Sequence, residues 1–248
     1  PKNKGIMHSG AGRIASIRMN TMSLYESGDS TGEVSLENLC NGQLDNVLTK
    51  EVQLEEIAHY IVRGGFPANI NVDEENAHLM PRSYVDTLLN MDINMMNEGE
   101  HLRQDKAKLL LMSLGRNETT VVSDLSLLND LKQNDDVSLS RNTIAKYLDK
   151  FERLFILNNQ KPYSPNIRSS LRVKQFEKRH FCDPSIACAL LNLTKGKLLG
   201  DLNTFGFLFE ALVERDLGIY AQSFGGKLFH YQDYKNNEID AVVELEDG

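Results

Sequence analysis

Two carboxylates stand one helical turn apart in Phe209-Glu210-Ala211-Leu212-Val213-Glu214, and a third follows in the β-rich run Glu238-Ile239-Asp240. A helix carboxylate joined to a strand carboxylate is half of a one- or two-metal phosphodiesterase site, because such acids hold the cation that polarises a phosphoryl oxygen. Completing it needs another acid and a lysine on the next strand. No such strand follows Asp240 in this sequence. The same acids also read as solvated charges spaced at i and i+4 on a helix. Glu210 and Asp240 therefore stand as candidate catalytic residues.

Other chemistry-bearing types are scattered. His180, Cys182, Asp183 and Cys188 are metal-ligand residue types, but Cys-x5-Cys lacks a second pair at zinc spacing. Cys188 falls in the apolar run 186–191, where a thiol packs like a small hydrophobe. No metal site is assigned from these residues. Gly10-Ala11-Gly12-Arg13-Ile14-Ala15 matches the G-x-G-x-x-A form of the dinucleotide fingerprint. That fingerprint works only between a strand and a helix that opens on the pyrophosphate. Neither flank has that pattern, so the match reads as chance. Arg13 in this glycine-rich stretch can present a charged fork to a phosphate, or can be an ordinary surface arginine.

The elements that must position these residues follow from periodicity. Residues 1–41 are short, polar and glycine-punctuated, with one short strand among loops expected. Residues 37–62 read as one helix, with Val47, Leu54, Ile57, Ala58 and Ile61 on one face. Arg63-Gly64-Gly65-Phe66-Pro67 stops it. Further helices are expected over 76–98, 101–114 and 122–131. Ser140 caps another, carrying Ile144, Tyr147, Leu148, Phe151, Leu154 and Phe155 at intervals of three and four. A helix through residue 191 follows Asp183-Pro184, and a stronger one holds Phe205, Leu208, Phe209, Leu212, Val213, Leu217 and Tyr220. Strands are expected near 227–231 and 238–245. The closing Asp247-Gly248 is a favoured hairpin pair with no returning strand, from which we expect a fragment or a sequence without its disordered parts.

Helix, turn, amphipathic helix and then a basic stretch is a winged-helix outline. Arg141, Lys146 and Lys150 flank its presumed recognition helix, and Arg168, Arg172, Lys174, Lys178 and Arg179 follow it. Arg141, Lys146, Arg168, Arg172 and Lys174 are the nucleic-acid candidates, since such a patch can neutralise phosphates of duplex DNA. The alternative is a protein-binding module with a solvated basic face. The whole chain of 248 residues is acidic, with a net charge of −8 from 27 basic and 35 acidic residues, so any nucleic-acid binding has to be local. No apolar run approaches the roughly 18–20 residues of a membrane helix. Three cysteines argue against a secreted disulfide scaffold. Together these point to a cytoplasmic protein that does not enter the membrane; oligomeric state is not legible.

Several blocks resemble one family. HSGAGRIASIRMNTMSLYESGDSTGEVSL resembles the stretch after the sensor strand in bacterial and archaeal AAA-type P-loop ATPases that carry an uncharacterised C-terminal domain. IVRGGFP resembles the lid motif of that family. SRNTIAKYLDKFERLFILNNQKPYSPN, RHFCDPSIACALL, FGFLFEALVERDL and HYQDYKNNEIDAVVELEDG resemble successive blocks of its C-terminal part. The resemblance implies a mostly helical α+β chain. Residues 1–41 would be the edge of the ATPase core, 42–118 a helical lid and connector, 119–183 a winged helix, and 184–248 a truncated PD-(D/E)XK nuclease-like module. It implies that Arg13, Gly64, Gly65 and Pro67 belong to the nucleotide and lid region, and that Glu210 and Asp240 match two acidic nuclease positions. ATP and Mg²⁺ would be cofactors of the complete protein only, because the sequence has no G-x-x-x-x-G-K-[ST] loop. Duplex DNA or a protein would be the partner.

Overall fold

The computed structural model describes residues 18–43, 47–49, 51–92, 103–134, 137, 139–163, 176–233 and 237–246. Arg13 and its glycine-rich stretch, Arg168, Arg172, Lys174 and the Asp247-Gly248 pair lie outside the described residues. The described chain is a mixed α+β fold, mostly helical, with one small open sheet of three strands.

Helices α1 (Leu36–Cys40) and α2 (Leu54–Arg63) replace the single helix expected over 37–62. Gly42 takes a left-handed φ of 72° just past α1, the backbone conformation that ends a helix most cheaply. Val47 and Leu54 are consequently exposed, while Ala58 and Ile61 are buried. Within 18–41 the chain forms turns and α1, and the expected strand is absent among the described residues. Helix α2 starts on a reciprocal cap, in which the Gln53 backbone N–H donates to Glu56 Oε2 at 2.9 Å.

Helix α3 (Leu79–Thr87) runs into a π-turn over Leu88–Asp92. Helices α4 (Gln104–Arg116), α5 (Asp124–Asn134) and α6 (Arg141–Arg153) then form a three-helix group. Ser140 caps α6 by accepting the Thr143 N–H at 3.1 Å. The stripe Ile144, Tyr147, Leu148 and Phe151 is buried in the same core cluster as Leu110, Leu114, Leu127 and Leu131. Phe155, expected on the same stripe, is instead 62% exposed, because the helix ends at Arg153 and Phe155 takes a φ of 57°.

The remaining elements are β1 (Lys161–Pro162), α7 (Pro184–Leu190), α8 (Lys195–Gly200), α9 (Leu202–Ser223), β2 (Lys227–Gln232) and β3 (Glu238–Glu244). Strand β1 pairs parallel with β2 through Lys161↔Phe229 and Pro162↔His230. Strand β3 returns antiparallel on β2, with Phe229↔Val242 and Tyr231↔Ile239 in register around an irregularity, so its partner is the strand before it. Single bridges Leu157↔Phe181 and Gln160↔Lys178 tie residues 157–160 to 178–181 beside this sheet. Asp201 ends α8 and starts α9, accepting the Thr204 N–H at 3.2 Å.

Candidate functional site

Residues 178–181 pair with 157–160 in extended backbone, so successive side chains alternate between two faces. Lys178 and His180 fall on one face, toward α9. Arg179 falls on the other and meets Asp124 at the start of α5 (3.2 Å). On α9, Glu210 and Glu214 lie one turn apart and meet Lys178 and His180 directly. Asp240 comes across from the middle of β3.

The result is a row of alternating charge. Lys178 Nζ donates to Glu210 Oε1, to Glu214 Oε1 at 2.8 Å and to Asp240 Oδ1 at 3.2 Å. The second oxygen of Glu214, Oε2, is 2.7 Å from His180 Nε2. His180 Nδ1 is 3.5 Å from Glu118 Oε1, and both Glu118 oxygens accept the Phe181 backbone N–H at 3.0 and 3.2 Å. Lys178 is fully buried, Glu118 and Glu214 almost so, and the row opens to solvent at Asp240, which is 59% exposed.

Burial opposes charge on both cations, and the carboxylates outweigh it. Lys178 is held above its ordinary value by the bonds to Glu210 and Glu214. His180 is pushed up to about 9 by Glu118 and Glu214. Burial raises the Glu210 carboxyl, and Glu214 and Asp240 add to that rise, while Lys178 pulls against it. Four carboxylates surround two cations, which leaves two formal negative charges in a partly desolvated place. One oxygen each from Glu210, Glu214 and Asp240 lies within 4.8 Å of the others, a spacing that suits one divalent cation. Among the described residues no contact engages Glu210 Oε2 or Asp240 Oδ2.

The structure thus brings Glu210 and Asp240 together and adds Glu214, Lys178, His180 and Glu118. The lysine that meets Asp240 lies 62 residues before it in the chain. Lys178 and Arg179 therefore leave the basic patch. Lys150 leaves it too, being buried in the α6 stripe. Arg141 and Lys146 remain on the exposed side of α6, near the Arg153–Asp149 pair. A signal for the row was present in the sequence: two cationic types at i and i+2 in a strand, and two acids at i and i+4 in a helix.

Gly64, Gly65 and Pro67 sit elsewhere, at a second buried network. Gly64 takes a φ of 68° and a ψ of −175°, and a Cβ there would overlap Asp183 Oδ1 and Ser185 Oγ. A Cβ on Gly65 would overlap the Met22 carbonyl oxygen, to which it lies backbone to backbone. Pro67 is exposed and opens a short 3₁₀ turn over Pro67–Asn69. Asp183 Oδ2 accepts from the Gly65 N–H at 2.9 Å and from Arg215 Nη1 at 3.0 Å, while Oδ1 accepts from Ser185 N and Oγ. Arg215 also donates to Asp216 Oδ1, and Asp216 Oδ2 accepts the Leu24 N–H at 2.9 Å. Burial opposes the Asp183 charge, but Arg215, Ser185 and Gly65 together hold the carboxyl below its usual range. Segment 20–30 is fastened at its far end by Asp29, which pairs with Arg63 through both oxygens. Cys188 is a core residue, and Asp183 is the cap of α7 rather than a metal ligand.

A mostly helical α+β chain with a buried lysine–carboxylate centre is the class that fold and site define. The chain belongs to the family described as Domain of unknown function (DUF8612), whose model matches residues 54–197. That range includes Glu118, Lys178 and His180. No curated protein and no solved structure matches the chain. No helix among the described residues is long and apolar enough to cross a membrane.

Proposed function

We propose that this chain is the C-terminal part of a cytoplasmic AAA-type P-loop ATPase, and that its Lys178–Glu210–Glu214–Asp240 centre is a nuclease-like site for a divalent cation and a phosphodiester backbone. The observation that carries the second half is the excess of two negative charges at a cluster with free carboxylate oxygens. Glu210, Glu214 and Asp240 would hold the cation, which when bound polarises a phosphoryl oxygen and acidifies a water. Lys178 orients all three acids and limits their mutual repulsion. His180 fixes the second oxygen of Glu214. Arg141 and Lys146 on α6 would meet the nucleic-acid backbone, in the winged-helix reading of α5, α6 and the paired segments 157–160 and 178–181.

The ATPase half rests on the resemblance of the sequence blocks. The grip of Gly64 and Gly65 on Met22 and Asp183 supports a lid reading, since it couples segment 20–30 mechanically to α2 and α9. ATP and Mg²⁺ would act in the segment that carries a phosphate loop. A protein-binding scaffold is the second reading, favoured by the three carboxylates already bonded to Lys178.

Titration with Mn²⁺, read by electron paramagnetic resonance, tests the centre. One site that is lost in Glu210→Gln and Asp240→Asn, together with Mn²⁺-dependent nicking of plasmid DNA, is the expected result. Mn²⁺ uptake without nicking leaves a cation-dependent backbone-binding site. No uptake by the folded protein refutes the cation reading and leaves Lys178 as the permanent counter-charge of a scaffold.

A further inference from the structure

Glu214 and His180 also line a cavity of about 270 Å³ whose walls are polar and apolar in near-equal share. It is just smaller than ligand pockets of roughly 300–1,000 Å³, so its size suits one small polar ligand. Its floor is the His180–Glu214 pair, whose charges cancel. Five carboxamides face it beside apolar Phe181, Ile219 and Leu228: Asn158, Asn159 and Gln160 from the segment that leads into β1, Asn20 from the N-terminal segment and Gln222 from the end of α9.

Gln160 is the unusual member. It is 6% exposed, and its Nε2 donates to the Asp240 carbonyl oxygen at 3.2 Å, which fixes the amide orientation. Among the described residues no donor reaches its Oε1. A buried acceptor without a donor is destabilising, and a ligand N–H would remove that cost. Asn20 Nδ2 donates to Gln222 Oε1 at 3.1 Å, so these two amides already meet across the cavity wall. Two exposed cations, Arg18 and Lys227, also line the cavity. Arg18 lies 5.5 Å over the Phe155 ring, and neither cation has a carboxylate partner among the described residues.

We propose that this cavity binds a nucleotide, the base edge paired with the Gln160 and Asn158 carboxamides and the phosphate held by Arg18 and Lys227. Carboxamides make two-point hydrogen bonds with the planar edges of bases, which carry donors and acceptors side by side. Arginine and lysine supply the anion site that a neutral sugar or amide ligand would not need. The inference goes beyond the carboxylate reading and needs no cation on Glu210 or Asp240.

Calorimetric titration in EDTA, with nucleoside 5′-monophosphates in one series and a 5′-phosphorylated single-stranded oligonucleotide in another, tests it. Saturable one-to-one binding of the monophosphates identifies free nucleotide, and binding of the oligonucleotide alone identifies a strand end. Either supports the proposal if Gln160→Leu and Arg18→Glu each weaken it at least about tenfold, equivalent to about 1.4 kcal/mol. Should Gln160→Leu fail to fold, Asn158→Ala and Arg18→Glu, both at exposed positions, carry the test. Absence of saturation with every ligand overturns the proposal, as does binding unaffected by the exposed-site variants. Because EDTA removes divalent cations, failure here is separate from failure of Mn²⁺ uptake.

Discussion

Replacing Lys178 with methionine keeps the aliphatic stem and deletes the charge that three carboxylates share. Asp240 is 59% exposed and solvent screens it, so its loss contributes little. Glu214 is 3% exposed and Glu210 27%, and they would face each other one turn apart with His180 as the remaining cation. Removing one partner of a buried pair costs about 3–5 kcal/mol because the other charge is left uncompensated. In a domain of this size about 2–4 °C of melting temperature corresponds to 1 kcal/mol, so Lys178→Met should melt about 6–20 °C below the parent in EDTA. Two further results separate this mechanism from a packing defect. Glu214→Gln added to Lys178→Met should recover part of the loss, since the stranded charge is gone. Mg²⁺ or Mn²⁺ should stabilise Lys178→Met by about 2.7 kcal/mol at a cation concentration about 100 times its Kd for the variant, and should stabilise the parent by less. Scanning calorimetry with and without cation reads all three. A Lys178→Met protein that melts with the parent would refute the reasoning.

Other predictions address the second network and the thiols. Gly64→Ala should lose at least about 1–3 kcal/mol, since its φ and ψ lie in a region essentially reserved for glycine, measurable by urea denaturation. Gly65→Ala should release segment 20–30 from α2, read as faster limited proteolysis there while α4–α6 stay protected. Asp183 has a depressed carboxyl in the fold, so its stabilisation is complete above the unfolded value near 3.9 and is lost as pH falls through the lower folded value. The stability gap between parent and Asp183→Asn, followed by denaturation at several pH values, should therefore narrow only under strongly acid conditions. Burial pushes the Cys182 thiol up to about 12 and the Cys188 thiol higher still, whereas Cys40 is half-buried on α1. Iodoacetamide on the native protein at mildly alkaline pH should therefore modify Cys40 first, with the other two reacting on unfolding, as peptide mass mapping would show.

How much of this was legible depended on whether a residue's role is set locally. The α6 stripe and the strands β2 and β3 follow from periods of 3.6 and 2, and Ser140 and Asp183 are caps by residue type, so sequence spacing locates all of them. The break between α1 and α2 was hidden because Val47 and Leu54 continue an apolar rhythm that the Gly42 turn interrupts. Lys178 was the more instructive failure. In sequence it belongs to a run of basic residues, and charge alone says solvent and phosphate. Its burial is decided by a backbone bridge to Gln160 and by acids 32, 36 and 62 residues away, and the i,i+2 cations and i,i+4 acids do not by themselves say that the two sets meet.

The two networks meet on consecutive residues of one helix. Glu214 faces Lys178 and His180, whereas Arg215 faces Asp183 and, through it, Gly65. Adjacent helical residues point about 100° apart, so α9 works as a rigid strut between the carboxylate centre and the Gly64-Gly65 turn. Because Asp216 next to them also holds the Leu24 amide, the N-terminal segment is fastened to the same strut. A shift of α9 that eased the repulsion among Glu210, Glu214 and Asp240 would have to break or carry along the Arg215–Asp183 pair. Buried and closely packed pairs of this kind resist gradual deformation. In the proposed reading, a cation that loaded the centre would therefore act on segment 20–30 through α9, the part that both networks share.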